Sequence, residues 1–266
     1  CLLDSIRRCR AEGCFVSQMQ RAADVLRRSK TIVFFSGAGI SAESGIPTFR
    51  DKLTGLWAKH DPQRLETADA FRENPALVWG WYLWRRHQVS GAKPNAAHLC
   101  IPRFQDAGWE VSVITQNIDD LHERGGSTNI LHLHGEILKM RSERDEHLIY
   151  DIKGDMMLGD KAEDGAQLRP YIVWFGEAVP MIEEAVPIVE QADFFAVVGT
   201  SLVVYPAAGL ITVAAEAIPK FIVDKKIPYT SSIQNVTAVE KPATEGVKDL
   251  REILLRLCKR CRVRKM

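Results

Sequence analysis

The chain has 266 residues, 46% of them apolar and 26% charged, with a net charge of +1. This length fits one large domain or one domain with insertions, and the apolar share is enough for a substantial core. The near-neutral balance gives no reason to expect nucleic acid or a membrane surface as partner, no apolar run approaches the ~18 residues of a membrane span, and there is no solenoid repeat or long low-complexity tract.

The six cysteines, Cys1, Cys9, Cys14, Cys100, Cys258 and Cys261, sit mostly towards the ends and form no disulfide-like framework. A reducing, cytoplasmic setting is expected, with a mitochondrial one as the alternative, and Cys1–Lys30 lacks the apolar core of a secretory signal peptide. Gln18–Arg28 reads as a short amphipathic helix and Thr31–Ser36 as a buried strand running straight into Gly37-Ala38-Gly39-Ile40-Ser41. Ile46–Pro62 carries Gly, two Pro and mixed charges and reads as a loop. Asn74-Pro75 supplies a cap and a first helical residue for a helix to about Val89. Pro94–Ala107 reads as a helix disturbed at Pro102.

Further strands are expected at Glu110–Thr115, Asn129–Leu133, Tyr171–Phe175, Asp193–Val198 and Lys220–Val223, with helices at Pro206–Ala217 and Thr244–Lys259. Met140–Gln167 is polar and acidic and reads as a small insertion. Strands alternating with helices imply an α/β fold with a doubly wound parallel sheet, whose ligands sit at the carboxyl ends of the strands.

Gly37-Ala38-Gly39-Ile40-Ser41-Ala42 has the form G-x-G-x-x-A directly after a strand, a turn that brings backbone N–H groups close to a pyrophosphate. An ordinary hydride-transfer site also wants an acid about 20 residues on at a strand end; Asp51 is too near and in a loop, and Asp224 is the better partner for a ribose hydroxyl. Thr115-Gln116-Asn117-Ile118-Asp119 places two amides and a carboxylate at the same sheet edge, or is a polar turn capped by Asp119. His132 and His134 alternate onto one side of their strand, which allows a metal pair or a base with a support, and Gly135 allows a ligand to approach closely. Tyr82 and Arg85 share a helix face and could hold a carboxylate, or be a half-buried Tyr beside a solvated Arg. Trp79, Trp81 and Trp84 read as packing.

Taken in order, GAGISAESGIPTFRD (Gly37–Asp51), TQNIDDLHERGG (Thr115–Gly126), HLHG (His132–Gly135), VWFGE (Val173–Glu177) and GTSLVVYPAA (Gly199–Ala208) closely resemble the sirtuin family of NAD-dependent protein deacylases, over about residues 30–257. The resemblance implies a Rossmann-type sheet with a small inserted module, made of a helical insertion and a vestigial zinc-module region. It implies an N-terminal extension at 1–29, a catalytic domain at 30–258 and a basic tail at 259–266. Within the domain the core would be about 30–46, 92–138 and 170–258, and the module 47–91 and 139–169. It implies NAD consumed as co-substrate, with Gly37, Ala38, Gly39, Ala42, Phe49, Arg50, Gln116, Asn117, Asp119, Gly199, Thr200, Ser201, Asp224 and Ala243 lining its site. Asp224 departs from the Asn common in the family.

The same resemblance implies His134 as general base, with Asn117 and Asp119 beside the nicotinamide and its ribose. Val173, Phe175, Gly176, Glu177, Val204 and Tyr205 would clamp the acylated lysine of a protein substrate as an added strand. Tyr82-Leu83-Trp84-Arg85 is similar to the Tyr-x-x-Arg element of sirtuins that remove succinyl, malonyl or glutaryl groups, and Ala70 to the small residue that enlarges their acyl pocket. Products would be lysine, nicotinamide and O-acyl-ADP-ribose. The family's two Cys-x-x-Cys zinc pairs would fall between Met140 and Leu168, where there is no cysteine, so a zinc-free module is expected. A monomer is expected. The alternatives on this scaffold are an NAD glycohydrolase or ADP-ribosyltransferase, and a non-catalytic NAD or ADP-ribose sensor.

Overall fold

The computed structural model describes residues 31–48, 61–154 and 158–263. The helix expected at Gln18–Arg28, the site residues Phe49 and Arg50, and Cys1, Cys9 and Cys14 lie outside the described residues, as do the side chains of Cys258 and Cys261.

In chain order the elements are β1 (Thr31–Ser36), α1 (Ala38–Ala42), α2 (Pro62–Leu65), α3 (Ala68–Glu73), α4 (Pro75–Gly91) and α5 (Ala96–Cys100), then a 3-10 turn at Pro102–Ala107. There follow β2 (Glu110–Thr115), α6 (Leu121–Arg124), β3 (Ile130–His132), β4 (Gly135–Ser142), β5 (Ile149–Asp151), β6 (Leu168–Ile172), α7 (Ile182–Glu190) and β7 (Phe194–Val198). The chain continues through a 3-10 turn at Ala207–Gly209, α8 (Leu210–Val213), β8 (Lys220–Asp224), β9 (Val236–Glu240) and α9 (Ala243–Val263).

Six strands pair in parallel in the order β3-β2-β1-β7-β8-β9. The chain leaves β1 towards β2 and β3 on one side and returns to β7, β8 and β9 on the other, so the order reverses between β1 and β7. A crevice opens there outside the strand ends, as in other doubly wound sheets. The β1 run is apolar throughout because both faces are covered: Ile32 and Phe34 pack into one core, and Val33 and Phe35 into the other.

A second sheet, β5-β4-β6, is antiparallel. Gly135 opens β4 with φ +82, and a Cβ there would lie 2.1 Å from the Tyr171 carbonyl oxygen of β6. The close approach expected at Gly135 is therefore by the neighbouring strand, not by a ligand. The helix α4 begins where expected: the Asn74 side chain accepts from Leu77 N at 3.1 Å, with Pro75 in the first turn. Its buried residues Val78, Trp81, Tyr82 and Val89 pack with Ile137 of β4, Ile172 of β6 and Trp174.

Several elements depart from the sequence reading: β4, β5 and the short helices α2, α3 and α6 are not among the expected elements, and the strand expected at Tyr171–Phe175 runs over Leu168–Ile172. α7 was not marked by its residues, because Pro187 inside it argues for a break. β9 is a short edge strand, exposed at Ala238 and Glu240. The helix expected over Pro206–Ala217 is only a 3-10 turn and one short helix, since Ala214 takes an extended ψ of 127.

The two loops at the switch point interlock. Gly37 N donates to Val198 O at 3.1 Å and Gly39 N to Gly199 O at 2.7 Å. Gly199 has φ +65, and a Cβ on it would sit 2.3 Å from Ile40 N. Gly199→Ala is expected to cost about 2 kcal/mol or more, lowering Tm by about 5 °C. Thermal unfolding of the variant checks this, and an unchanged Tm would contradict the interlock.

Candidate active site

The strand ends and the loops after them bring most of the expected residues together. Gln116, just past β2, is anchored from both ends: its N donates to Ser36 O of β1 at 2.9 Å, and its Nε2 donates to Thr200 Oγ1 at 2.9 Å. Its own carbonyl oxygen lies 3.0 Å from His134 Nδ1. A carbonyl can only accept, so Nδ1 carries the proton and Nε2 carries the lone pair. Burial holds the His134 pKa below the usual imidazole range, against an opposing pull from that backbone bond. Near neutral pH the ring is therefore uncharged, with Nε2 able to take a proton.

Asn117 and Asp119 are both buried and share one hydroxyl. Asn117 Nδ2 donates to Ser41 Oγ at 3.0 Å, and Ser41 Oγ donates to Asp119 Oδ2 at 2.9 Å. Asp119 Oδ1 accepts from Leu121 N at 3.1 Å. Burial raises the Asp119 pKa, and these hydrogen bonds pull it back. Ser41 lies inside the glycine-rich motif, yet the sequence reading gave it no role. Its partner is a buried carboxylate in the loop after β2, which only the fold brings to it.

Beneath this layer lies a second polar cluster that the sequence reading missed. Ser36 Oγ is 2.9 Å from both Thr115 Oγ1 and His122 Nε2. His98 Nε2 is 3.5 Å from Ser41 Oγ, and the two imidazoles meet edge to face at 5.0 Å. Burial pushes His98 down to about 4 and His122 well below the ordinary value. Asn95 caps α5 and sends its Nδ2 to Ile40 O at 2.7 Å, fixing the loop that carries Ser41.

His132 does not pair with His134. Its Nδ1 is 2.8 Å from Asn117 O and its Nε2 2.8 Å from Glu123 Oε1. Burial opposes its charged form, but the Glu123 carboxylate outweighs this and raises its pKa. His132 thus takes neither role left open for the pair and instead supports the Asn117 backbone; among the described residues no cluster of three or more His, Cys, Asp or Glu could hold a metal ion. The segment expected to be the vestigial module is cross-braced by polar bonds: Ser142 Oγ donates to Asp164 Oδ2 at 2.6 Å, Arg144 N to Ser142 Oγ at 3.0 Å, and Gln167 Nε2 to Asp160 O at 2.9 Å.

The residues expected on the adenosine side follow β7, end β8 and open α9. Gly199 N donates to Val223 O at 2.9 Å, which places Asp224, at the end of β8, one residue beyond that contact. Ala243 opens α9 in the core, and Thr244 docks on Glu43 just past α1. Ala38 and Ala42 bound α1, and Ser201 follows Thr200.

The residues expected to clamp a peptide divide in two. Val173 N donates to His134 O, and Phe175 N to Glu66 O, both at 2.9 Å. Gly176 has φ +88 and Phe175 is exposed, as are Val204 and Tyr205. Glu177 faces inward: it accepts from Arg169 Nη1 at 2.6 Å and from Trp174 N at 2.8 Å. Tyr82 is buried, and its hydroxyl accepts from Trp174 Nε1 at 2.8 Å, which leaves its own proton to donate. Arg85 Nη1 stands 3.4 Å from Glu66 Oε1. Ala70 lies in the first turn of α3, its N–H on Thr67 Oγ1; the side chain this segment brings to Arg85 is Glu66, four residues earlier. Its only sequence signal was an acid beside Leu65, just before the Thr67 cap.

A parallel sheet with a glycine interlock at its switch point, two amides and a buried acid beside it, and a neutral imidazole at its rim make the arrangement of a dinucleotide site. Residues 37–206 match the Sir2 family. The chain belongs to that family. It is 58% identical over 206 residues to a Pseudomonas putida protein named NAD-dependent protein deacylase, covering 73% of this chain and 79% of that one. A Bacteroides thetaiotaomicron protein of the same name is 46% identical over 232 residues, covering 85% and 98%. The solved structure of a Sir2 homologue–NAD complex superposes with a TM-score of 0.79 at 35% identity, covering 89% of this chain and 94% of that one.

The buried imidazoles set an acid limit on stability. His98 and His122 resist protonation in the folded state, so the unfolded chain binds more protons below the usual imidazole value of 6.5. Their stabilising contribution is complete above that value and is lost as pH falls towards about 4. The raised His132 has the opposite sign, but its contribution is already complete below 6.5. The urea midpoint is expected to fall between pH 6.5 and 5, with a loss of about 2 kcal/mol from His98 alone. A midpoint unchanged down to pH 5 would contradict this.

Proposed function

We propose that this chain removes acyl groups from protein lysines while consuming NAD, and that its acyl pocket favours groups ending in a carboxylate. The observation that carries the reading is the Trp174 Nε1 bond to the Tyr82 hydroxyl, which ties α4 to the segment expected to clamp the peptide. Arg85 lies three residues along from Tyr82 in the same helix, so a phenol and a guanidinium end one pocket. Support for a peptide substrate comes from a Sir2 structure described with a deacetylated p53 peptide and 3'-O-acetyl ADP-ribose, similar at a TM-score of 0.71 and 30% identity.

The glycine interlock suits a dinucleotide site: a Cβ at Gly37, Gly39 or Gly199 would meet the facing loop under 3.0 Å, so glycine there keeps the two loops backbone to backbone at the switch-point crevice where such sheets bind dinucleotides. Gly37, Ala38, Gly39 and Ala42 would line the phosphates, Thr200, Ser201, Asp224 and Ala243 the adenosine half, and Gln116, Asn117 and Asp119 the nicotinamide and its ribose. NAD, when bound, supplies the activated bond between ribose and nicotinamide. His134 accepts a proton on Nε2, while the Gln116 carbonyl holds the other ring nitrogen and so fixes the tautomer. Asn117 and Asp119 are held in place by Ser41. Val173, Phe175 and Gly176 on one side and Val204 and Tyr205 on the other offer backbone and apolar surface to an extended peptide.

Turnover of one peptide carrying succinyl-lysine or acetyl-lysine tests both parts. His134→Ala is expected to lower kcat on either by about 10²-fold or more. Arg85→Met is expected to lower kcat/KM for the succinyl peptide by about 30-fold or more, with a smaller change for acetyl. Equal rates on the two peptides, with no loss of desuccinylation in Arg85→Met, would defeat the acidic preference.

A further inference from the structure

Glu66 joins the two halves of the substrate site. Its main-chain oxygen accepts from Phe175 N in the clamp, at 2.9 Å. Its side chain turns the other way, into the acyl pocket: Oε1 lies 3.4 Å from Arg85 Nη1 and accepts from Trp81 Nε1 at 3.2 Å. Glu66 is only 5% exposed, and the Arg85 side chain 14%. The Arg85 guanidinium is also 5.4 Å from the Trp81 ring, so the three side chains form one packed group.

The charge count in this pocket decides what it can admit. Arg85 contributes one positive charge and the Glu66 carboxylate one negative. Tyr82 stays a neutral phenol, since burial and Glu66 raise its pKa well above the ordinary value. Arg169 of β6 also acts on Tyr82, but its charge is balanced by Glu177 at 2.6 Å. Among the described residues, the charged and titratable groups around Glu66 are Arg85 and Tyr82 of α4, with the Arg169–Glu177 pair behind them. A substrate carboxylate brought to Arg85 would be the second anion for one cation in a buried site, an arrangement that costs several kcal/mol unless a proton joins it.

Resting on the assignment of Tyr82 and Arg85 to the acyl pocket, we infer that Glu66 is a specificity-determining residue: its carboxylate occupies Arg85 and competes with acyl groups that end in a carboxylate. Neutral acyl groups enter without disturbing the pair. Acidic ones enter when Glu66 takes up one proton from solvent, which leaves Arg85 to the substrate, so Glu66 tempers the acidic preference that Arg85 sets up without reversing it. Burial already lifts the Glu66 pKa above the usual carboxylate value, against the pull of Arg85 and the Trp81 hydrogen bond, so uptake lies nearer to hand than for an exposed acid. The device works as specificity by repulsion, set directly beside the attractive group.

The test uses the whole chain, saturating NAD, and one peptide in succinyl and acetyl forms. Glu66→Gln keeps the shape and removes the charge, and is expected to raise the succinyl-to-acetyl ratio of kcat/KM by about tenfold, mostly through KM. In the native chain the ratio of KM for succinyl over acetyl is expected to rise from pH 6 to pH 8; the acetyl peptide corrects for every titration the two reactions share. In Glu66→Gln that ratio is expected to be flat. An unchanged preference in Glu66→Gln overturns the inference, and if that variant fails to fold, a pH-independent KM ratio in the native chain does so alone. Arg85→Met separates this from the underlying reading: if it abolishes desuccinylation while Glu66→Gln changes nothing, the pocket stands and only the role of Glu66 falls.

Discussion

The whole site depends on the close contact of Gly39 with Gly199. At that point β1 and β7, neighbours in the sheet, turn in opposite directions, and their loops touch backbone to backbone. A continuous line of hydrogen bonds starts there. Thr200, next to Gly199, accepts from Gln116; the Gln116 carbonyl holds His134; the His134 carbonyl accepts from Val173; and Phe175, two residues on, donates to Glu66, whose side chain meets Arg85. Five loops from separate parts of the chain are thereby held in register from the switch-point crevice to Arg85. Three of these contacts use a backbone group: His134 on the Gln116 carbonyl, Val173 N on the His134 carbonyl and Phe175 N on the Glu66 carbonyl.

Burial sets the electrostatics of the line. It raises the carboxyls of Asp119 and Glu66 and lowers the imidazoles of His98, His122 and His134. In each case the uncharged form gains. The guanidiniums deepest in the substrate side, Arg85 and Arg169, each face a carboxylate, Glu66 and Glu177. Among the described residues these buried charges are paired, and a group that brings charge beside them has a large effect on how it is received.

Local signals reached the scaffold and the motif-borne residues. The TIVFFS run could only be a strand buried on both faces, and Asn74-Pro75 could only begin a helix, so β1 and α4 were legible as written. The order of the motifs placed Gln116, Asn117, Asp119 and His134 at the strand ends. What escaped were residues whose meaning lies in a distant partner. Ser41 needs Asp119, His98 needs His122, and Glu66 needs Arg85, a residue 19 positions later. Alternation put His132 beside His134, but β3 ends at His132 and the two rings turn to different carbonyls. Gly135 was legible as a close approach; only the pairing of β4 with β6 shows what approaches.

The central claim is that proton transfer at His134 and cleavage of NAD serve the removal of an acyl group from a bound peptide. The most direct measurement is the ratio of nicotinamide released to free lysine formed, taken with and without acylated peptide. One nicotinamide for each lysine freed, and almost none without the peptide, is the result expected here. Nicotinamide released at the same rate when no acylated peptide is present would contradict it and point to hydrolysis of the dinucleotide alone.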